Sequence, residues 1–520
     1  MLLSNDPTVI YRNKEIIANL SNRMITENEK YKGFVVYSKD KQPIGIVSST
    51  GELIAKCKIN SIPKRFGTYL TSIEDKRFHQ HIGIDIKGIT RALYENIKAR
   101  RIVQGGSTIT QQLARNLLRD RRISVSRKLK ETNLALRIER NYSKTNILEL
   151  YYNNVFWGKN IYGLIGASLE YFLKEPEQLS TSEQMILITL LRGPNFYLHH
   201  TDKLKKRYHF LSNSLHKKKI LSSNKFTKIN KTKIAINNNN LQTYRNDSVP
   251  YIANTIIHYD YSIYSSINKE FQIEVTKYIS QCSYPTSLLC VYKGKVLGVG
   301  SSFGSDYPFK YKANVGSTLK PFIYTFLREN GTRKDALFST KCDTNASWDI
   351  HEVESTDVDF LPLEEALIRS NNNVFVNASY KIGIEKVQSF LAKTFRQQID
   401  NFVPASVLGA TTNGISLYEL VSAYQNHFIK ASNNPIINEC VSILKEIAKA
   451  KFGNNIYDLF LKTGTTNKNK ERYGIIGMGR LLFGFLRQGN EINDYSKEGN
   501  YLSSIMGFLR SIRNKIYKWD

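Results

Sequence analysis

Ser317 and Lys320 stand three residues apart in KANVGSTLKPFIYTF. On a helix that spacing puts both side chains on one face, so a hydroxyl lies within reach of an amine able to act as its base. Gly316 before the serine and Pro321 after the lysine predict a helix that is only beginning, with Ser317 at the positive end of its dipole. Further along, RSNNNVF offers Ser370 and Asn372, and a strand-like stretch offers Lys462, Thr463, Gly464 and Thr465. A glycine in that strand leaves room for a peptide to lie alongside it. These residue types suit acyl transfer through a serine ester, with protons passing through amine and hydroxyl.

The first half carries a different chemistry. In SIEDKRFHQHIGID, Glu74 and Asp75 precede Phe78 and His81 at helical spacing, and Glu131 follows in SRKLKETNLALRIER beside Arg127 and Lys128. Two carboxylates in distinct surroundings suit glycosyl chemistry: a partly buried one takes a proton from an attacking hydroxyl, while one held by cations serves the leaving group's side. Between them, QGGSTITQQLARNLL supplies a Gly-rich turn, Thr108, Gln112 and Arg115 at an expected helix start, where backbone N–H groups and cations are well placed to hold phosphate.

In order, EDKRFHQHIGID, GGSTITQQLARNLL, RKLKETNLALRIE, KTNILELYYNNVFWG and LLRGPNFY resemble the five consecutive motifs of the family 51 peptidoglycan glycosyltransferases, over about residues 50 to 200. That resemblance implies a mostly helical, lysozyme-like fold that joins lipid II units by β-1,4 bonds and expels undecaprenyl diphosphate. It makes Glu74 the general base. It sets Glu131 at the donor diphosphate with Mg²⁺ or another divalent cation and with Arg115, Arg127 and Lys128, and it counts Asp75, Phe78, His81, Thr108 and Gln112 among the binding positions, His81 in a supporting role. Arg115 stands where family members often carry lysine, with the charge kept.

SxxK, SxN and KTGT in this order are similar to the penicillin-binding transpeptidases and serine β-lactamases. GSTLKPF and KTGTT, preceded by SLLCVYKGKVLGVGSS, resemble the class A penicillin-binding proteins in particular. The resemblance implies an α+β, β-lactamase-like domain in which Ser317 is the acylated nucleophile and Lys320 its base. Ser370 relays protons to the leaving amine, Asn372 binds the substrate amide, Lys462, Thr463 and Thr465 engage its carboxylate, and the N–H groups of Ser317 and Thr465 form the oxyanion hole. Here NKNKERYGIIGMG replaces the family's usual strand after KTGTT, so a glycosyltransferase with a degenerate, inactive second half stays open as the alternative.

The elements that must position these groups need two domains. At 520 residues, 41% hydrophobic and 11% aromatic, the chain exceeds what one core serves. Helical periodicity runs from Thr71 to about His200, and a basic, Asn-rich stretch follows. The expected organisation is a lead-in over 1–49, a glycosyltransferase domain over 50–205, a linker over 206–250, a transpeptidase domain over 251–485 and a basic tail over 486–520 able to lie on an anionic membrane as an amphipathic helix.

The net charge of +29 favours anionic partners: phosphates, lipid headgroups or nucleic acid. A basic nucleic-acid or lipopolysaccharide binder needs none of the motif residues, so no nucleic-acid partner is expected. A lytic hydrolase also uses paired carboxylates, but the cations around GGSTITQQ and RKLKE argue for a diphosphate donor. The implied partners are lipid II, nascent peptidoglycan, β-lactams as inhibitors and an anionic membrane surface. The five cysteines lack zinc or redox spacing. No run of about 18 apolar residues and no signal-like start is visible, so the outer face of the cytoplasmic membrane implied by the resemblance would be reached through the basic surface, through a membrane-tethering protein, or from a start other than the one assigned.

Overall fold

The computed structural model describes residues 34–47, 53–54, 62–100, 105–118, 124–232, 234–236, 241–245, 247–259, 262–341, 358–430, 433–453, 458–466, 471–489 and 496–516. They form two compact units, one built mainly from residues 41–246 and the other mainly from 265–520.

The first unit is helical: α1 (Lys64–Glu74), α2 (Ile86–Lys98), α3 (Ile109–Leu118), α4 (Val125–Asn141), α5 (Lys144–Asn154), α6 (Leu164–Phe172), α7 (Thr181–Leu190), α8 (Pro194–His199), α9 (Thr201–Lys217) and α10 (Ser223–Lys231). Side-chain caps set several starts. Ser124 accepts from the Arg127 amide, Ser143 from that of Asn146, and Ser180 exchanges bonds with Glu183 in a capping box. Phe66, Leu113, Leu134, Tyr151, Trp157 and Leu187 form the core.

A five-stranded sheet lies mostly in this unit, built from β1 (Phe34–Tyr37), β2 (Pro43–Val47), β3 (Gln242–Tyr244), β4 (Ala253–Tyr259) and β5 (Ser262–Ser265) in the order β3-β2-β1-β5-β4. Val35 and Ile46 pack on Leu169 of α6. The described strands of the expected lead-in are thus part of the unit.

Of the stretch expected as a linker, 206–250, the described residues up to 231 belong instead to two helices and the turn between them. Leu211, Leu215, Leu221 and Ile229 of α9, α10 and their turn are buried in the same core as Phe66. Lysines and asparagines fill the solvent face, so composition hides an apolar stripe at helical spacing.

The second unit is a five-stranded antiparallel sheet, β6 (Thr286–Tyr292), β7 (Lys295–Ser301), β10 (Leu459–Thr465), β11 (Glu471–Met478) and β12 (Leu481–Gln488), in the order β7-β6-β12-β11-β10. The short strands β8 (Lys312–Ala313) and β9 (Ile415–Ser416) pair separately. Helices flank the sheet: α11 (Lys269–Gln281), α12 (Lys320–Glu329), α13 (Leu363–Arg369), α14 (Asn372–Ile382), α15 (Pro404–Val407), α16 (Leu417–Tyr424), α17 (Pro435–Phe452) and α18 (Ser496–Ile516). The unusual sequence after KTGTT supplies β11, which pairs with β10 along its whole length.

The expected membrane tail is α18, and its apolar face is already taken. Leu502, Ile505, Phe508 and Ile512 are buried with Phe271, Phe483 and Phe485 of the sheet and α11. Each such side chain gains about 1.5–3 kcal/mol from burial, so the helix stays on the sheet and the unit extends past 485.

Candidate active sites

Glu74 is the last residue of α1. Its carboxylate accepts a long bond, 3.5 Å, from the Gln112 amide of α3, whose own oxygen accepts from the Tyr151 hydroxyl at 3.0 Å. Burial pushes the Glu74 carboxyl above the ordinary glutamate range, opposed by the charges of Arg207, Arg192 and Arg115. Arg207, on α9, is the nearest cation, 3.7 Å away. A carboxylate whose proton affinity is raised by burial, with cations facing it, is suited to take a proton from an attacking hydroxyl.

Asp75, next in sequence, points elsewhere. It is buried, accepts from the Ile109 amide at 2.9 Å and pairs with His81 Nε2 at 2.9 Å. The Gly83 amide donates to His81 Nδ1, so Nε2 carries the ring proton and donates it to Asp75. Thr108 caps α3: its hydroxyl accepts from the Gln111 amide and donates to Gly83 O, while the Gln111 side chain accepts from the Thr108 amide. Phe78 is fully buried beneath the Lys144 amine, 4.7 Å from its ring centre. Asp75, His81 and Thr108 are therefore expected substrate contacts whose polar atoms are consumed internally around the start of α3, and Phe78 is a buried core ring.

Glu131 is buried on α4 and receives Arg127 Nη1 on one oxygen and Lys128 Nζ, at 3.2 Å, on the other. Lys128 also reaches Ser107 Oγ, 3.0 Å away, just before α3. The two carboxylates thus do not bond each other; α3 joins them, touching Glu74 through Gln112 and the Glu131 helix through Gln111 and Thr132. Arg207, Arg192 and Tyr151 are members of this site that the sequence reading did not single out.

In the second unit Ser317 sits in a 3-10 turn, Gly316–Leu319, that runs into α12 with Pro321 in its first turn. Lys320 is fully buried and donates to Ser370 O, to Asn372 Oδ1 at 2.7 Å and to Ser370 Oγ at 3.3 Å. Lys462 Nζ donates to the same hydroxyl at 2.8 Å. SxxK, SxN and KTGT therefore meet at Ser370. The middle residue of SNN explains the spacing: Ser370 takes a left-handed conformation that ends α13, Asn371 caps α14 by accepting from the Val374 amide, and Asn372 is its first helical residue. Burial lowers the Lys462 amine to about 7.

Gly464 was expected to clear space for substrate. A Cβ there would instead lie 2.5 Å from Val315 O and 3.0 Å from Thr318 N, so the glycine lets the nucleophile's turn close onto β10. Likewise a Cβ on Gly316 would lie 3.0 Å from Thr465 N, which brings the turn of Ser317 and the Thr465 amide together as an oxyanion pair requires. The Tyr424 hydroxyl, unremarked in the sequence reading, fixes the turn from α16 by donating to Thr318 O at 2.6 Å.

Comparison with known proteins agrees with both halves. The family model described as Transglycosylase matches residues 42–216. The model described as Penicillin binding protein transpeptidase domain matches 296–408, ending before KTGT. The chain is 37% identical to penicillin-binding protein 1F of Bacillus subtilis over 37% of its own length and 26% of that protein's. It is 24% identical to penicillin-binding protein 4 of the same organism over 77% of its length and 73% of that protein's. The crystal structure of penicillin-binding protein 1A from Haemophilus influenzae aligns over 88% of each chain at 13% identity, with a TM-score of 0.47. The chain thus carries a transglycosylase domain followed by a penicillin-binding protein transpeptidase domain.

Proposed function

We propose that the chain polymerises lipid II into β-1,4 glycan strands, releasing undecaprenyl diphosphate, and crosslinks stem peptides through an acyl-serine. In the first step Glu74 takes the proton of the acceptor's sugar hydroxyl as that oxygen attacks the donor's anomeric carbon. Arg127 and Lys128, held in place by Glu131, meet the departing diphosphate. In the second unit Ser317 Oγ attacks the peptide carbonyl and passes its proton to Lys320, while the Ser317 and Thr465 amides receive the oxyanion. Ser370, bridging two amines, hands a proton to the leaving amine.

The observation that carries the reading is the convergence of Lys320, Asn372 and Lys462 on Ser370, because a relic would have no reason to keep two buried lysine amines on one hydroxyl. The residues around Glu131 do not build a metal site alone: among the described residues no group of three or more His, Cys, Asp or Glu is placed to hold an ion. A divalent cation would there depend on the diphosphate's own oxygens.

Membrane contact at the outer face of the cytoplasmic membrane is supported by α2. Ile86, Ile89, Leu93, Tyr94 and Ile97 are exposed along one stripe, with the exposed Lys87, Arg91 and Lys98 along its edge. Among the described residues no helix is long and apolar enough to cross a membrane. Purified protein with lipid II in anionic vesicles, with and without Mg²⁺, is expected to yield glycan strands, and fluorescent penicillin is expected to label it covalently. Absence of both would overturn the reading.

A further inference from the structure

We infer that Gly409 is a positioning residue for acylation: the helix cap it forms is the rear wall that presses the turn of Ser317 against β10. The inference rests on the transpeptidase reading of that site. Helix α15 ends in a Schellman motif, with the Gly409 amide bonded to Ser406 O and the Ala410 amide to Ala405 O, and Gly409 takes φ +91° as the residue after the cap. The motif leaves the Gly409 carbonyl free to point outward, where it accepts from the Val315 amide.

Three glycines then lie in series. A Cβ on Gly409 would stand 2.5 Å from Gly316 N and 2.6 Å from Gly316 O; one on Gly316 would stand 2.6 Å from Thr465 O; one on Gly464 would stand 2.5 Å from Val315 O. Main chain thus touches main chain from the cap, through the nucleophile's turn, to the strand that carries KTGT. Backbone cannot change rotamer to make room, so any atom added at Gly409 moves Gly316 and with it the Ser317 amide. An oxyanion donor loses its effect when displaced by a fraction of its bond length, so the cap acts on the transition state and not on initial binding.

The test separates this displacement from simple strain. Gly453, after α17, has φ +86° and, among the described residues, nothing within 4 Å of its Cβ position, so Gly453→Ala carries the conformational cost without the push. Acylation by a fluorescent penicillin is resolved into Kd and the acylation rate constant for the wild type and each variant. Both alanine variants are expected to lower the melting temperature by a few degrees. Only Gly409→Ala is expected to lower the rate constant, by about 10²-fold as for loss of one oxyanion donor, with Kd unchanged. Ser406→Ala adds no atom and removes only the hydroxyl that accepts from the Val403 amide at the start of this four-residue helix, loosening the helix that the Gly409 cap closes; a severalfold loss of rate constant is expected. Equal rate constants in Gly409→Ala and Gly453→Ala overturn the inference. Should Gly409→Ala not fold, an unchanged Ser406→Ala does so. A wild type that penicillin never acylates overturns the transpeptidase reading itself, and this inference with it.

Discussion

Around Glu74 and Glu131 the polar groups are fixed by side-chain hydrogen bonds to one helix, α3, whereas around Ser317 backbone lies directly on backbone, with glycines at each contact. The first arrangement has slack: Gln112 reaches Glu74 at 3.5 Å and Arg207 at 3.7 Å, distances that an incoming substrate can shorten. The second has none, since a single added carbon meets main-chain atoms. A site that must accept two large lipid-linked sugars and one that must hold a single carbonyl in register call for different degrees of preorganisation.

The largest effect expected is the loss of covalent penicillin labelling in Ser317→Ala, with glycan polymerisation retained, because the two constellations lie in separate compact units. A label that persists would remove Ser317 as nucleophile. In Glu74→Gln the shape is kept and the base is lost, so polymerisation is expected to fall by at least about 10²-fold while labelling continues. The same carboxyl gives a pH signature. Its proton affinity is raised by burial, so activity falls on acidification at a higher pH than for an ordinary glutamate, and Arg207→Gln, which removes the strongest opposing charge, is expected to move that acid limb further up. An acid limb unmoved by the Arg207 change would break the link between the two residues.

Much of this was legible before any coordinates, and what was not has a common cause. SxxK, SxN, KTGT and the paired glutamates announce themselves because side-chain chemistry is written one letter at a time. Arg207 is lost among Lys203, Lys205 and Lys206, and only burial sets it apart. Gly409 has no side chain to suggest a role, and Gly464 suggested the wrong one, since which backbone lies beside a glycine is a tertiary fact. Helices α9, α10 and α18 misled in the same way: composition reports the solvent face of a helix as loudly as the buried one.

A smaller effect tests the charge at the second site. Burial brings the Lys462 amine to about 7, against the 10.5 of an exposed lysine. A carboxylate ligand needs the ammonium, which is present below that value and absent above it. The Kd of a penicillin is therefore expected to weaken as pH rises through 7, by up to about tenfold per unit, and to be flat over the same range in Lys462→Arg, whose charge does not titrate. A wild-type Kd independent of pH between 6 and 8.5 would separate Lys462 from carboxylate binding.

The smallest expected effect probes the slack of the first site. Thr108 caps α3 and also donates to Gly83 O, so Thr108→Ala removes a cap bond worth about 1 kcal/mol and leaves a buried carbonyl short of a donor. The loss reaches chemistry only indirectly, through the placement of Gln112 one turn along α3, which still bonds Glu74 and Tyr151. The expected outcome is a lower melting temperature for the first unit with polymerisation reduced severalfold, well short of the Glu74→Gln loss. Thr108→Ser, which keeps the hydroxyl, should restore both. A collapse of activity in Thr108→Ala as deep as that of Glu74→Gln, in protein that remains folded, would mean that this site is as rigidly preorganised as the one around Ser317. The contrast between side-chain and backbone assembly would then fail at its more tolerant end.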